Sequence, residues 1–242
     1  MKLRKKIDRY LDFTSQEKID YAITAIVFAS VFFFFLWRVT PLTYFLAFQL
    51  YLSLLVASFI VVGLFVFLSK SIAIYYDYTA TYERWTTGLL IGFFITFLSY
   101  GFVPVSFAGS IDMKRIPSLG HGKIFSGENK SELFNTKLLV LATLTFFGIA
   151  MQIIHSIIGM SFFAYLTQIT GLVVFLSILP LGKTFGIILF HTKKQSYFLY
   201  GSILLAISAL LIVNNMYAVY IGLPVGLVLG FIVQRLFAKM TR

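Results

Sequence analysis

The sequence predicts an all-α polytopic membrane protein with about six transmembrane helices and one re-entrant or broken membrane segment. Hydrophobic residues make up 59% of the 242 residues and charged residues only 12%, whereas an average soluble domain is about 25% charged. Several apolar runs reach the roughly 20 residues that cross a hydrocarbon core of about 30 Å. Lysine and arginine flank these runs, as they do at the cytoplasmic ends of membrane helices.

The chain begins with a basic segment, residues 1–20, that precedes the first apolar run and lacks a small-residue cleavage site. We therefore expect a retained cytoplasmic arm. A single membrane domain, 21–237, follows, and 238–242 form a cytoplasmic tail. The predicted membrane segments are 21–37, 44–68, 85–109, 138–160, 164–190, 197–213 and 216–237.

The last two segments are predicted to be separate helices. About 40 apolar residues are too many for one crossing, and Asn214 and Asn215 lie between the two segments. Asparagine accepts the left-handed backbone geometry of a turn. A single long helix is the alternative.

Segment 85–109 is predicted to enter the membrane and return to the same side. As an ordinary crossing it would put the basic loop 110–137 and the basic C-terminus outside, against the positive-inside rule. As a re-entrant segment it leaves nearly all of the 20 basic residues inside, with Arg38 outside and Lys183 near the end of a span. The segment also contains residues that interrupt helices: Gly88, Gly92, Gly101, Pro104 and Gly109.

Non-helical backbone at membrane depth must be enclosed by protein or lined by water. We therefore expect a groove formed by neighbouring helices, with a short membrane-embedded β-hairpin as an additional expectation. The alternative is a glycine-rich helix packed closely on its neighbours. That alternative leaves the charge distribution unexplained.

No residue pattern predicts catalysis, a metal site or a cofactor. The chain has no cysteine, so thiolate chemistry is excluded. The three histidines, His121, His155 and His191, share no helical spacing, and no HExxH motif occurs. The net charge of +11 is explained by membrane orientation, so no nucleic-acid partner is expected.

A resemblance begins in the stretch "FVFLSKSIAIYYDYTATYERWTTGLL", which starts at Phe65. In order and spacing it resembles the first conserved region of prokaryotic, especially archaeal, site-2 protease-like proteins, the intramembrane zinc metalloproteases. The positions that match the family pattern are Lys70, Ala73, Tyr76, Tyr82, Trp85 and Gly88. The family's HExxH motif falls on Phe65, Val66 and Ser69, which lack its zinc ligands and its general base.

Two further stretches resemble the same family. In "ILPLGKTFGIILF", Pro180 and Gly186 match a family proline and glycine, while the metal-binding aspartate falls on Phe185. The stretch "FVPVSFAGSI", with Pro104 and Gly109, looks like the family's extended membrane segment. "GKIFSG" and Asn135 resemble two shorter elements. The resemblance covers 63–190.

The resemblance implies a catalytically inactive relative in a prokaryotic cell membrane with no bound cofactor, and the charge distribution predicts that both termini are cytoplasmic. The groove would bind a transmembrane peptide or membrane-protein partner. Its expected remnants are Trp85, Pro104, Gly109, Asn135 and Pro180. Partner association through the cytoplasmic loop 110–137 is the other interpretation, in which Phe65 and Phe185 are core packing.

A small-solute transporter or channel component is the alternative from another class. Its polar candidates are Gln49, Ser53, Gln152, Gln168 and Asn214. The third interpretation is an active intramembrane metalloprotease whose metal ligands are not recognised in the sequence.

Overall fold

The computed structural model describes residues 10–38, 43–116, 130–213 and 218–240. Within these residues it contains eight helices and one two-stranded sheet. In chain order these are α1 (Ser15–Trp37), α2 (Tyr44–Tyr75), β1 (Tyr78–Glu83), α3 (Thr86–Leu98), β2 (Ser110–Arg115), α4 (Lys130–Ile158), α5 (Ser161–Ile178), α6 (Phe185–Thr192), α7 (Lys194–Ile212) and α8 (Ala218–Met240). Five of them, α1, α2, α4, α5 and α7, are long and apolar enough to cross a membrane. The expected all-α polytopic membrane fold is confirmed.

Helix α1 starts earlier than the apolar run alone predicts, because a capping box fixes its first turn. The Thr14 hydroxyl accepts the Glu17 N–H at 3.2 Å, and the Glu17 carboxylate accepts the Thr14 N–H at 2.8 Å. These bonds satisfy amide groups that have no partner inside the helix. The polar turn before residue 21 is therefore part of the first helix.

The predicted span 164–190 is wrong as a single helix. Helix α5 ends at Ile178 and α6 begins at Phe185. Leu179 has extended backbone (ψ 135°), as expected for a residue that precedes a proline. Gly182 then has a positive φ of 54°, which glycine adopts without strain. The proline and the glycine therefore interrupt the helix, although the segment is apolar along its whole length.

The last apolar stretch forms two helices, α7 and α8, as predicted. Residues Gly222, Gly226 and Gly230 of α8 lie against Ile207, Ile203 and Leu199 of α7, respectively. As the residue numbers increase along α8, the numbers of the contacted residues in α7 decrease, so the two helices are antiparallel. A Cβ atom on Gly226 would lie only 2.5 Å from the Ile203 Cα, so glycine allows close helix packing. Asn214 and Asn215 lie outside the described residues.

Segment 85–109 returns to its starting point, as the charge distribution predicts. Strands β1 and β2 pair in antiparallel orientation, with Glu83 opposite Ser110. The chain between these two residues must therefore leave and re-enter at one place. Helix α3 ends at Leu98 and extended chain follows, so the alternative of a continuous glycine-rich helix is wrong. The expected membrane-embedded β-hairpin is wrong, because the two paired strands are separated in sequence by the whole re-entrant segment and lie where that segment starts and ends.

The re-entrant segment reaches far along α1. At its start, the Arg84 Nε lies 3.3 Å from the Asp20 Oδ1. At its far end, the Phe97 ring contacts the Phe34 ring, with 5.7 Å between centroids. A helix of 13 residues rises about 20 Å. Helix α3 therefore covers about two thirds of a hydrocarbon core before the chain turns back.

Almost all described basic residues lie at one end of the bundle, which we call the basic end. It contains the start of α1, the end of α2, the sheet, the start of α4, the junction of α6 with α7, and the end of α8. Among the described lysines and arginines the exception is Arg38, which follows the last turn of α1. The prediction that the basic end faces the cytoplasm depends on the positive-inside rule.

The sheet is amphipathic and packs one face on the core. Its buried side chains are Tyr78, Ala80, Tyr82, Ile111 and Met113, and the residues between them are more exposed. This alternation follows from the two-residue period of a β-strand. The sheet therefore covers the helical core at the basic end.

Candidate functional site

Phe65 of α2 and Phe185 at the start of α6 contact each other in the core. Their ring centroids are 5.4 Å apart, and neither side chain is more than 1% exposed. Ser69 lies one turn further along α2, and its hydroxyl donates to the Phe65 carbonyl at 2.7 Å. Phe65, Ser69, Phe185 and the neighbouring Lys137 are called the phenylalanine site below. Positions from two distant stretches of sequence meet here.

Lys137 of α4 supplies a buried charge to the phenylalanine site. Its Nζ lies 4.4 Å from the centroid of the Phe185 ring and donates to the Ile111 carbonyl at 3.2 Å. The residue is 1% exposed. A buried ammonium is costly unless it is solvated by polar groups or ring faces. The carbonyl and the ring contribute to that solvation, and through them Lys137 joins β2 to α6.

Sequence reasoning missed Lys137, which it treated as one basic residue of the cytoplasmic loop. The structure places it on the buried face of α4, with Leu133, Val140 and Leu141 at helical spacing. This spacing is the signal that a lysine belongs to an apolar helix face. The predicted loop 110–137 is correspondingly too long, because its first residues form β2 and its last residues form the start of α4.

Trp85 connects the re-entrant segment to the chain that precedes Phe185. Its indole lies against Gly88 and Gly182, where any Cβ atom would overlap the ring. The indole also contacts Phe107, with 4.9 Å between ring centroids. Gly186, next to Phe185, packs against the Ile178 carbonyl with no space for a side chain. Close contacts at glycines thus fix the phenylalanine site relative to the extended chain.

The extended chain 102–109 is stabilised by side chains of the re-entrant segment. The Thr96 hydroxyl accepts the Val105 N–H at 3.0 Å and lies 2.9 Å from the Gly92 carbonyl, to which it donates. The Ser99 hydroxyl accepts the Val103 N–H at 3.2 Å. Backbone amides at membrane depth need such partners because water is absent.

The extended chain has no neighbouring strand among the described residues. Ser106 is fully buried, and its hydroxyl has no hydrogen-bond partner within the part of the chain that the structure describes. The Ala108 carbonyl accepts the Tyr82 hydroxyl at 2.5 Å. Gly109 then has a φ of 92° where the chain enters β2. An unpartnered buried hydroxyl therefore lies beside an extended backbone.

A buried ion pair holds the sheet against the start of α1. The Lys70 Nζ lies 2.9 Å from the Glu17 Oε2 and donates to the Asp12 carbonyl at 2.9 Å. The other carboxylate oxygen of Glu17 accepts the Tyr82 N–H at 2.9 Å. This carboxylate therefore binds β1 at the edge that does not pair with β2. Sequence reasoning assigned Glu17 to a cytoplasmic arm and missed this contact.

Tyr82 links that ion pair to the extended chain through its hydroxyl. Besides the bond to Ala108, the hydroxyl lies 2.8 Å from the Thr24 Oγ1. Burial raises the pKa of Tyr82 well above its usual range. The phenol therefore stays protonated as a hydrogen-bond donor at ordinary pH.

Some predicted positions lie away from the phenylalanine site or apart from one another. Asn135 and Pro180 are exposed, while Val66 is buried beside Phe65. Among the polar residues suggested for transport, Gln49 is exposed on α2 and Gln152 is buried on α4. These two residues therefore do not face a common surface. Asn214 and His121 fall outside the described residues.

The described residues contain no group of three or more His, Cys, Asp or Glu side chains that could hold a metal ion. Comparisons with protein-family models, with curated proteins and with solved structures found no match to this chain. The resemblance to site-2 proteases therefore rests on the sequence motifs.

Proposed function

We propose that this multi-pass membrane protein is a catalytically inactive site-2 protease-like protein that binds a transmembrane or membrane-protein partner. The observation that supports it is the contact between Phe65 and Phe185. These are two of the positions on which the motif alignment places metal ligands. Phenyl rings provide no lone pair for zinc, and the ammonium of Lys137 at the same place repels a cation.

The partner would lie along the extended chain 102–109, beside the phenylalanine site. Extended peptides bind to proteins by adding a strand to exposed backbone. Two observations on the described residues support this location: the Ser106 hydroxyl has no hydrogen-bond partner among them, and none of them forms a strand beside the chain 102–109. The basic end, and with it both chain termini, would face the cytoplasm under the positive-inside rule.

A ligand graft tests the proposed ancestry of the site. The graft combines Phe65→His, Val66→Glu, Ser69→His and Phe185→Asp, with Lys137→Met to remove the repelling charge. We expect stoichiometric zinc in the purified graft and none in the natural protein, measured by elemental analysis. Cobalt substitution, read by visible absorption, reports a tetrahedral site directly.

The matched control moves the histidine pair to another face of α2, as Phe67→His and Ser71→His, with Phe185→Asp and Lys137→Met kept. Phe67 is 46% exposed, so this pair points away from Phe185. Equal zinc in graft and control would show that the phenylalanine contact is ordinary core packing. Stoichiometric zinc in the natural protein would overturn the inactive assignment. If the full graft does not fold, the Phe65→His, Ser69→His pair alone is compared with its shifted counterpart.

Photo-crosslinking tests the proposed groove. A photoreactive residue at Val103, in the extended chain, is compared with one at Phe94, an exposed position on α3. We expect protein adducts at Val103 in native membranes and mainly lipid adducts at Phe94. Similar adducts at both positions would refute the groove and leave the zinc experiment unaffected.

A further inference from the structure

An apolar cleft lies at the end of the bundle opposite the basic end, between the last turn of α1 and the tip of the re-entrant segment. Its volume is about 430 Å³, which is within the usual range for ligand pockets. It is lined by Phe34, Trp37, Arg38, Phe97, Leu98 and Tyr100. Five of these side chains are apolar or aromatic, and one is a cation.

Arg38 is the cation of this cleft and has no acidic partner among the described residues. Its guanidinium carbon lies 3.6 Å from the centroid of the Phe102 ring. That stacking orients the guanidinium but leaves its N–H donors, which match a phosphate in geometry, available. It is also the one lysine or arginine that the described residues place at this end of the bundle.

The aromatic residues around Arg38 indicate its depth in the membrane. Trp37 is 45% exposed and Tyr100 84% exposed. Tryptophan and tyrosine are enriched at the headgroup level, where an apolar ring meets a polar environment. These residues indicate that the end of α1 approaches the headgroup level, from which the long Arg38 side chain can extend to a lipid phosphate while the apolar lining of the cleft remains available to hydrocarbon.

We propose that this cleft binds one phospholipid of the leaflet at this end. The phosphate accepts hydrogen bonds from the Arg38 guanidinium, and an acyl chain lies in the cleft against Phe34, Phe97 and Leu98. The positive charge of Arg38 favours the phosphate, and the apolar lining of the cleft favours the acyl chain. An anionic lipid is preferred, because its headgroup carries no cation to compete with Arg38. The lipid joins α1 to the re-entrant tip.

Native mass spectrometry tests the site with two probes that share their acyl chains, phosphatidylglycerol and diacylglycerol. We expect the full-length protein to retain phosphatidylglycerol much more strongly than diacylglycerol. Arg38→Gln should weaken phosphatidylglycerol retention about tenfold or more, since hydrogen bonds to a charged group are strong. Lys114→Gln, an exposed residue at the basic end, is the matched control and should have no effect.

A second variant, Leu98→Trp, reduces the volume of the cleft without changing its charge. Leu98 is exposed, so the variant should fold, and it should weaken retention of both lipids. Equal retention by Arg38→Gln, Lys114→Gln and the natural protein would overturn the proposal. Equal retention of the two lipids, retention of detergent in place of phosphatidylglycerol, or no effect of Leu98→Trp would overturn it as well.

Discussion

Replacing Lys70 by methionine tests whether the buried ion pair holds the sheet against α1. Lys70 and Glu17 side chains are 3% and 5% exposed, so solvent screens their interaction little. Methionine retains most of the aliphatic stem but leaves the Glu17 carboxylate without its cation. Removing one partner of a buried pair costs about 3–5 kcal/mol. For a chain of this size, that loss lowers the melting temperature by roughly 6–20 °C.

The assay is thermal unfolding in one detergent, followed by circular dichroism. The double variant Glu17→Gln, Lys70→Met removes both charges and should recover part of the loss, because no buried carboxylate remains unpaired. Lys114→Met breaks an exposed pair with Asp112 and should cost less than about 1 kcal/mol. A Lys70→Met melting temperature equal to that of Lys114→Met, or a double variant with strictly additive losses, would refute the reasoning.

Three further predictions concern the re-entrant segment and its link to the sheet. Gly92→Ala should destabilise the protein by about 1–3 kcal/mol, because its Cβ would lie 2.5 Å from the Val105 carbonyl oxygen. Gly201→Ala, whose Cβ has 3.6 Å of space, should be neutral or stabilising in the same melt. Thr96→Val keeps the shape but leaves the Val105 N–H unpaired, so urea titration should show a loss of about 1–3 kcal/mol; an unchanged midpoint would contradict the assigned hydrogen bond. Because burial raises the pKa of Tyr82, the unfolded chain releases this proton first, and stability should fall above about pH 10 by up to about 1.4 kcal/mol per pH unit. Tyr82→Phe should reduce that slope, and a slope equal to that of the natural protein would exclude the phenol as its source.

Two features of the fold could be predicted from the sequence because each depends on local composition. Long apolar runs become helices, since an uninterrupted helix satisfies its backbone inside a bilayer. The basic residues predicted the re-entrant path of 85–109, since they concentrate on one side of a membrane. The prediction of a single helix over 164–190 was wrong because it rested on hydrophobicity alone. The sequence contains residues that interrupt a helix in this segment, Pro180 and Gly182.

The candidate site was only partly predictable. The resemblance to site-2 protease motifs predicted that Phe65 and Phe185 lie close together, and their rings are in contact in the structure. Lys137 was missed because its charge was counted as part of a loop, although its spacing puts it on an apolar helix face. Ser106 was quoted within a motif, but its unpartnered hydroxyl depends on neighbours that are distant in sequence.

The sequence alone determined that this chain is a multi-pass membrane protein, that one segment returns to its starting side, and that no zinc-binding side chain stands at Phe65, Val66, Ser69 or Phe185. These properties follow from residue type and order. The tertiary structure decided which distant residues meet: Lys70 with Glu17, Lys137 with Phe185, and Arg38 with the aromatic cleft. Each of these contacts joins elements that only helix packing brings together, and the energy of a charge depends on the surroundings that packing creates.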